Sequence, residues 1–165
     1  MKRRLALAMA AGLPLLRPWQ DASAALSPGQ AVAWPDVTLL DGSRWGPAQA
    51  AGKAVVVVFW TTTCPYCRRH NQHVEQLQRA AAGRPLAILG VARESQPEAV
   101  RRHAREQGYS FPITLDHAPL AKALGARNSV PITATVDRQG RLKLLIPGEM
   151  FAADVMELLQ LAAGP

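Results

Sequence analysis

The two cysteines of the chain lie three residues apart, between a strongly apolar segment and a long segment that favours a helix. The apolar segment, residues 55–59, consists of four valines and a phenylalanine, and it predicts a strand buried on both faces. Residues 68–82 contain neither Gly nor Pro, so a helix can run through them. A strand, a Cys64-Pro65-Tyr66-Cys67 turn and a helix form the context in which two thiols act as a redox pair.

The rest of the chain alternates between strand and helix patterns, as in an α/β protein. We predict strands over 36–40, 54–60, 86–92, 111–115, 132–136 and 142–146, and helices over 47–51, 68–82, 96–107, 118–124 and 152–161. Helical crossovers make the first strands parallel, while the turn at 137–140 joins the last two strands into an antiparallel hairpin. The predicted fold is a mixed sheet with helices on both faces.

The N-terminus has the pattern of a secretory signal peptide. Lys2-Arg3-Arg4 is followed by an apolar stretch over 5–16 and by the small-residue cleavage pattern Ala22-Ser23-Ala24. The apolar stretch is too short to span a bilayer, although an uncleaved membrane anchor remains the alternative. We therefore predict a signal peptide over 1–24, a flexible lead-in over 25–34, a single domain over 35–165 and a periplasmic location.

The formal net charge of +7 falls to +4 once residues 1–24 are removed, and no basic tract carries interleaved aromatic residues. We therefore expect no nucleic-acid partner. Exported proteins with structural disulfides pair distant cysteines, but this chain has no third cysteine for such a pair. Cys64 and Cys67 can pair only with each other, with a partner protein or with a metal. Arg68 excludes covalent haem attachment, which needs histidine at that position.

Several further motifs resemble those of the thioredoxin-fold family, and most closely its secreted TlpA/ResA/CcmG-like branch. They are Pro35-Asp36-Val37-Thr38-Leu39, Asp41-Gly42, Gly52-Lys53, the redox loop ending in Arg68, Phe111-Pro112, Leu115-Asp116, Ser129-Val130-Pro131 and residues 136–141. The resemblance implies a thioredoxin-like mixed sheet and a periplasmic protein-disulfide reductase that needs no cofactor or metal. It implies a monomer that acts on client protein disulfides or thiols and takes electrons from a membrane-bound thiol reductant.

The two cysteines have different expected roles in such a protein. Cys64 lies at the start of the helix, where backbone N–H groups stabilise a thiolate, and it is expected to attack a client disulfide. Cys67, one helical turn further on, is expected to resolve the resulting mixed disulfide. Pro65 and Tyr66 between them are expected to tune the redox potential.

Two residues outside the loop are expected to support it. Pro131 resembles the family's cis-proline, which with Val130 would present backbone groups to an extended client chain. An ordinary trans proline at a strand start is the alternative. Trp60 is expected to shield the disulfide from water, with a purely structural core tryptophan as the alternative.

Two positions depart from the family pattern in the groups that accept protons. Val58 stands where thioredoxin has a buried acid, and His70 stands where the ResA-like branch has a glutamate. We therefore hypothesise that His70 shuttles protons and that its cation stabilises a nearby thiolate. The alternative is a solvated helix histidine. The other histidines, His73, His103 and His117, are interpreted as surface residues.

Other functions remain open at this point. One is an oxidase, because the residues do not fix the direction of electron flow. Another is a copper-binding or metallochaperone module that uses Cys64, Cys67 and His70 as soft ligands. The third is a peroxidase, since Thr61 stands where peroxiredoxins have a threonine. Against that reading, Val57 replaces the proline that the peroxiredoxin motif requires.

Overall fold

The computed structural model describes residues 26–164. Its elements, in chain order, are β1 (Val37–Thr38), β2 (Arg44–Trp45), α1 (Pro47–Ala50), β3 (Ala54–Trp60), α2 (Pro65–Ala80), β4 (Leu86–Ala92), α3 (Pro97–Gln107), β5 (Ile113–Thr114), α4 (His117–Leu124), β6 (Ile132–Val136), β7 (Leu142–Pro147), α5 (Ala152–Glu157) and a final 3-10 helix (Leu158–Ala163).

The central sheet has five strands in the order β5-β4-β3-β6-β7. Strand β4 runs parallel to β3 and β5, whereas β6 is antiparallel to both β3 and β7. All seven residues of β3 are buried, as an unbroken apolar strand in the middle of a sheet requires. The predicted mixed sheet with a C-terminal antiparallel hairpin is therefore confirmed. Strands β1 and β2 form a separate small hairpin, and β2 was not predicted.

Helices cover both faces of the sheet, as predicted. On one face, alternate residues of β3 pack with α2, α3, α5 and the 3-10 helix. On the other face, the remaining residues of β3 pack with α1, α4 and the small hairpin. The period of two along β3 thus divides its side chains between two apolar cores. Helix α2 lies over the first core, and its first turn contains the redox loop.

Helix α2 begins at Pro65, so Cys64 lies at the start of the helix as predicted. Proline suits the first position of a helix, since its fixed φ fits and its missing N–H has no partner there in any case. The predicted C-terminal helix over 152–161 is also modified. It changes after Glu157 into the 3-10 helix Leu158–Ala163.

The segment before the small hairpin packs on the domain. The N–H of Gly29 donates to the carbonyl of Leu142 at 2.7 Å, and the N–H of Val32 donates to Gly140 at 2.9 Å. Trp34 contacts Trp45 edge-to-face, with ring centroids 5.1 Å apart. The flexible lead-in over 25–34 stays a prediction, and these contacts show where residues 26–34 lie on the domain. The predicted signal peptide over 1–24 lies outside the described residues, and none of the helices within 26–164 is long and apolar enough to cross a membrane.

Candidate active site

Cys64 lies at the junction of β3 and α2 as the residue that caps the helix. Its Sγ accepts a hydrogen bond from the backbone N–H of Cys67 at 3.2 Å. The free N–H groups of a first helical turn carry partial positive charge, so this position favours a negatively charged sulfur. Cys64 is partly exposed, whereas Cys67 is fully buried. A partner can therefore reach Cys64 but not Cys67.

The environment of Cys67 holds it in the thiol form. Burial and the neighbouring Cys64 sulfur together raise the pKa of Cys67 to about 12, with burial the larger cause. A buried thiol with such a pKa does not compete for a partner at neutral pH. The two sulfurs therefore differ in access, and the raised pKa of Cys67 keeps its sulfur a thiol, which suits Cys64 to attack and Cys67 to resolve.

The outer surface of the redox loop is formed by Tyr66, which is 59% exposed. The guanidinium of Arg69 lies 4.9 Å from the centroid of the Tyr66 ring. Arg69 also donates two hydrogen bonds to the Glu149 carboxylate, of 2.9 Å from Nε and 2.7 Å from Nη2. Glu149 thus holds Arg69 beside Tyr66, an arrangement that the sequence did not predict. Pro65 is exposed beside them at the first position of α2.

The peptide bond between Val130 and Pro131 is cis, as the resemblance implied. The carbonyl of Pro131 accepts a hydrogen bond from the N–H of Gly148 at 2.8 Å, which ties the loop to the end of β7. Val130 is half-buried and packs against both apolar cores. Its backbone N–H and carbonyl have no hydrogen-bond partner among residues 26–164.

His70 is fully buried, so the alternative of a solvated helix histidine is wrong. Its Nδ1 accepts a hydrogen bond from the N–H of Met150 at 3.2 Å, and its Nε2 lies 2.9 Å from Thr133 Oγ1. Burial lowers the pKa of His70 to about 4, and the charge of His73 acts in the same direction. The ring is therefore neutral at physiological pH. A cationic His70 that stabilises a thiolate does not fit this geometry.

The interpretation of three histidines as surface residues holds only for His117, which is exposed. His73 is half-buried, with its Nδ1 3.3 Å from the carbonyl of Met150. His103 is also half-buried, and its ring lies 5.6 Å from that of Trp60, centroid to centroid.

Trp60 itself is fully buried in the same apolar core as Cys67. Its place at the end of β3 fits both the shielding role and the structural alternative.

A buried carboxylate on α2 was missed from the sequence. Glu75 is 3% exposed and accepts hydrogen bonds from the N–H and hydroxyl of Ser110 and from Arg79. Burial alone would raise its pKa, but these hydrogen bonds lower the pKa of Glu75 below its ordinary value. Glu75 therefore anchors the segment after α3 to the helix that carries the cysteines.

No group of three His, Cys, Asp or Glu side chains suited to hold a metal ion occurs within residues 26–164. The copper site proposed from Cys64, Cys67 and His70 is not favoured, since both ring nitrogens of His70 already have partners.

A Cys-x-x-Cys pair at the start of a helix, after the central strand of a mixed sheet and with a cis-proline loop, defines a thiol–disulfide oxidoreductase of the thioredoxin fold. Sequence comparison agrees with this class. A model of the Redoxin family matches residues 28–159, and the chain belongs to that family.

Individual relatives carry related descriptions. Thioredoxin-like protein YneN of Bacillus subtilis is 30% identical over 135 residues, which cover 77% of this chain and 76% of that protein. Thiol-disulfide oxidoreductase ResA of Halalkalibacterium halodurans is 30% identical over 123 residues, which cover 74% of this chain and 69% of that protein. Among solved structures, a thiol:disulfide interchange protein of the thioredoxin family from Chlorobium tepidum superposes with a TM-score of 0.76 at 25% identity. The superposition covers 84% of this chain and 99% of that one.

Proposed function

We propose that the protein is a periplasmic reductase of protein disulfides that works through a Cys64–Cys67 dithiol–disulfide cycle. The observation that carries this proposal is the asymmetry of the two sulfurs. Cys64 is partly exposed and its Sγ accepts the N–H of Cys67, while Cys67 is buried as a thiol with a raised pKa. Relatives named thiol-disulfide oxidoreductases support the reaction class.

The proposed reaction has two steps. The Cys64 thiolate attacks one sulfur of a client disulfide, so that a Cys64–client bond forms and the other client sulfur leaves as a thiolate. Cys67 then loses its proton and attacks the Cys64 Sγ, and the second client sulfur leaves with the electron pair of the broken bond. The client gains two electrons, and the protein is left with a Cys64–Cys67 disulfide. The short separation of the two cysteines makes this second step intramolecular.

The client would dock beside the cis-proline loop. The backbone N–H and carbonyl of Val130 have no partner among residues 26–164, so they can pair with an extended client chain as an added strand. Pro131 would fix the direction of these groups, and the exposed Tyr66 lies on the redox loop that the client must approach. Pro65 and Tyr66 would set the redox potential through the surroundings of the Cys64 sulfur, with Trp60 shielding the disulfide from water.

Location and electron supply form part of the same proposal. Residues 1–24 would direct export, and the domain over 35–165, with 26–34 packed on it, would act in the periplasm as a monomer. A membrane-bound thiol reductant would return the Cys64–Cys67 disulfide to the dithiol. The signal-peptide pattern of residues 1–24 supports this part.

The equilibrium potential of the Cys64–Cys67 couple against glutathione tests the direction of electron flow. We expect a value nearer to the ~−270 mV of thioredoxin than to the ~−120 mV of a strong oxidant. A value near the oxidant end would contradict the reductase assignment. In parallel, Cys67→Ser should accumulate covalent complexes with clients through Cys64, while Cys64→Ser, the matched control, should trap none.

A further inference from the structure

Three rings from different elements contact one another beside the buried cysteine. The ring centroids of Trp60 and Tyr109 lie 5.8 Å apart, and those of Trp60 and His103 lie 5.6 Å apart. The His103 and Tyr109 centroids are separated by 5.9 Å. Tyr109 also packs against the apolar core that contains Cys67 and Trp60. The end of β3, helix α3 and the segment after it therefore meet at this point.

Most of the buried polar atoms that lack a hydrogen-bond partner lie in and around this cluster of rings. Six buried side-chain nitrogen and oxygen atoms have no hydrogen-bond partner among residues 26–164, and five of them belong to Asn71, Trp60, His103 and Tyr109. Asn71 is fully buried and both atoms of its amide lack a partner. Its amide lies close enough to the Tyr109 hydroxyl to lower the pKa of Tyr109, although the two groups do not meet hydrogen-bond geometry. Such groups are rare in native proteins, and each calls for an explanation such as a bound water or a role in catalysis.

These groups are linked to Cys67. Asn71 is four residues after Cys67 on α2, and residues at that spacing share a helix face. Burial is the main cause that raises the pKa of Tyr109 to about 12, and the negative charge of a Cys67 thiolate contributes in the same direction. Tyr109 is therefore near enough to sense the ionisation of Cys67. The hydrogen bonds from Ser110 to Glu75 fix the segment that carries Tyr109 against α2.

Cys67 must lose its proton before it can resolve a mixed disulfide, yet the two positions expected to help do not supply an acceptor. Val58 is apolar, and both nitrogens of His70 are engaged by Met150 and Thr133. The polar cluster offers an acceptor instead. His103 Nε2 has no partner among the described residues, and the ring is half-buried, so it lies between the core and the solvent.

We propose that Tyr109 and His103, with the Asn71 amide beside the Tyr109 hydroxyl, form the route by which the Cys67 proton leaves during resolution. This inference rests on the proposed function. The Cys67 proton passes to the Tyr109 oxygen as the hydroxyl proton moves toward His103 Nε2, with ordered water completing the path where groups do not touch. The Cys67 Sγ bonds to Cys64, the Cys64–client bond breaks, and the client thiolate leaves with the electron pair. His103 then releases the proton to solvent.

The charges around His103 are compatible with this role. Burial lowers the pKa of His103 and Arg68 acts in the same direction, whereas the carboxylates of Glu94 and Glu106 oppose them. The net shift is downward, so the ring is neutral at pH 7 and can accept a proton. Glu94 is itself held by a hydrogen bond from the N–H of Thr62, next to the redox loop.

The two steps of the reaction can be timed separately by mixing the reduced full-length protein with oxidised glutathione, quenching in acid and measuring the Cys64 adduct by mass spectrometry. In Tyr109→Phe and His103→Gln we expect normal adduct formation but resolution slowed by about 10²-fold. The wild-type resolution rate should fall as the pH drops through the lowered pKa of His103, and His103→Gln should lose this inflection. His117→Gln, at an exposed histidine, is the matched control and should behave as the wild type.

Resolution rates in both variants within twofold of the wild type, with the same pH profile, would overturn the route. Tyr109→Phe removes the hydroxyl but keeps the ring contacts, so this variant tests the proton route even if His103→Gln fails to fold. A wild-type protein that forms neither the Cys64 adduct nor the Cys64–Cys67 disulfide would contradict the proposed function itself, and the route with it. A slow first step in the variants would also overturn the route, since the proton in question belongs to Cys67.

Discussion

His70 on helix α2 and Thr133 on strand β6 are joined by a hydrogen bond of 2.9 Å between Nε2 and Oγ1. Because Nδ1 of the same ring accepts the N–H of Met150, the neutral ring carries its proton on Nε2 and donates it to Thr133. Thr133 lies two residues after the cis-proline. His70 therefore ties the cysteine-bearing helix to the strand that follows the cis-proline loop, as a positioning residue rather than as an acid or base.

The buried His70 makes stability depend on pH. The pKa of His70 is about 4 in the folded protein, against an ordinary value of 6.5. Between these two pH values the unfolded chain binds the proton more strongly than the folded protein does. The contribution of neutral His70 to the free energy of unfolding is therefore complete above pH 6.5 and decreases toward pH 4. We expect the protonation of His70 alone to lower the free energy of unfolding by about 2 to 3 kcal/mol between pH 7.5 and 4.5, as measured by urea unfolding.

His70→Gln isolates that contribution, because Gln can hydrogen-bond but does not titrate. The variant should be less stable at pH 7.5, and its loss relative to the wild type should shrink on acidification. His117→Gln serves as the control for an exposed histidine. If the difference between wild type and His70→Gln stays constant from pH 7.5 to 4.5, the buried ring is not neutral as described.

Local pattern was sufficient to predict the parts of the fold that depend on neighbours in sequence. The predicted strands at 54–60 and 86–92 agree with the structure because long, mostly apolar runs are buried at the centre of the sheet, and the strand at 132–136 agrees through its β-branched residues. Strand β2 was missed because two residues, Arg44 and Trp45, show no period. Its pairing with β1 depends on the turn between them.

The candidate site divides in the same way. The cysteine pair and the cis-proline follow from motifs, since each motif carries its chemistry in adjacent residues. The burial of His70 and Glu75 depends on partners remote in sequence, Met150 and Ser110, which lie 80 and 35 residues away. No local pattern reveals these partners. The helical spacing of His70 from Cys67 and Val74 does place it on the buried face of α2, and this was the signal available in the sequence.

The buried carboxylate of Glu75 should matter for stability because it satisfies two donors of Ser110 and pairs with Arg79. Glu75→Gln leaves at least one of these donors without an acceptor. We therefore expect the free energy of unfolding, measured with urea at pH 7, to fall by about 1 to 3 kcal/mol. Glu98→Gln removes the exposed Glu98–Arg101 pair on α3 and is the matched control, with an expected loss below about 1 kcal/mol. Equal losses in the two variants would contradict the anchoring role of Glu75.

Gly90 on β4 allows two aromatic side chains to pack over the backbone. A Cβ at this position would lie 2.7 Å from Phe111 Cε2 and 3.2 Å from Trp60 Nε1. Gly90→Ala should therefore displace both rings and cost about 1 to 3 kcal/mol by overpacking, with a change in tryptophan fluorescence. Gly164→Ala is the control, since its nearest atom would be the Leu161 carbonyl oxygen at 3.5 Å. An unchanged melting temperature in Gly90→Ala would show that the rings can move aside freely.

The asymmetry of the two thiols predicts selective alkylation of the reduced protein. Cys64 is partly exposed, whereas Cys67 is fully buried with its pKa raised to about 12 by burial and by the Cys64 sulfur. Because only a thiolate attacks iodoacetamide, the folded protein at pH 7 should gain one label, on Cys64, and the urea-unfolded protein should gain two. In Cys64→Ser, Cys67 should stay unlabelled at pH 7 and react only as the pH becomes strongly alkaline. Labelling of Cys67 at pH 7 at a rate near that of the unfolded chain would contradict the buried thiol, and with it the division between attacking and resolving cysteine.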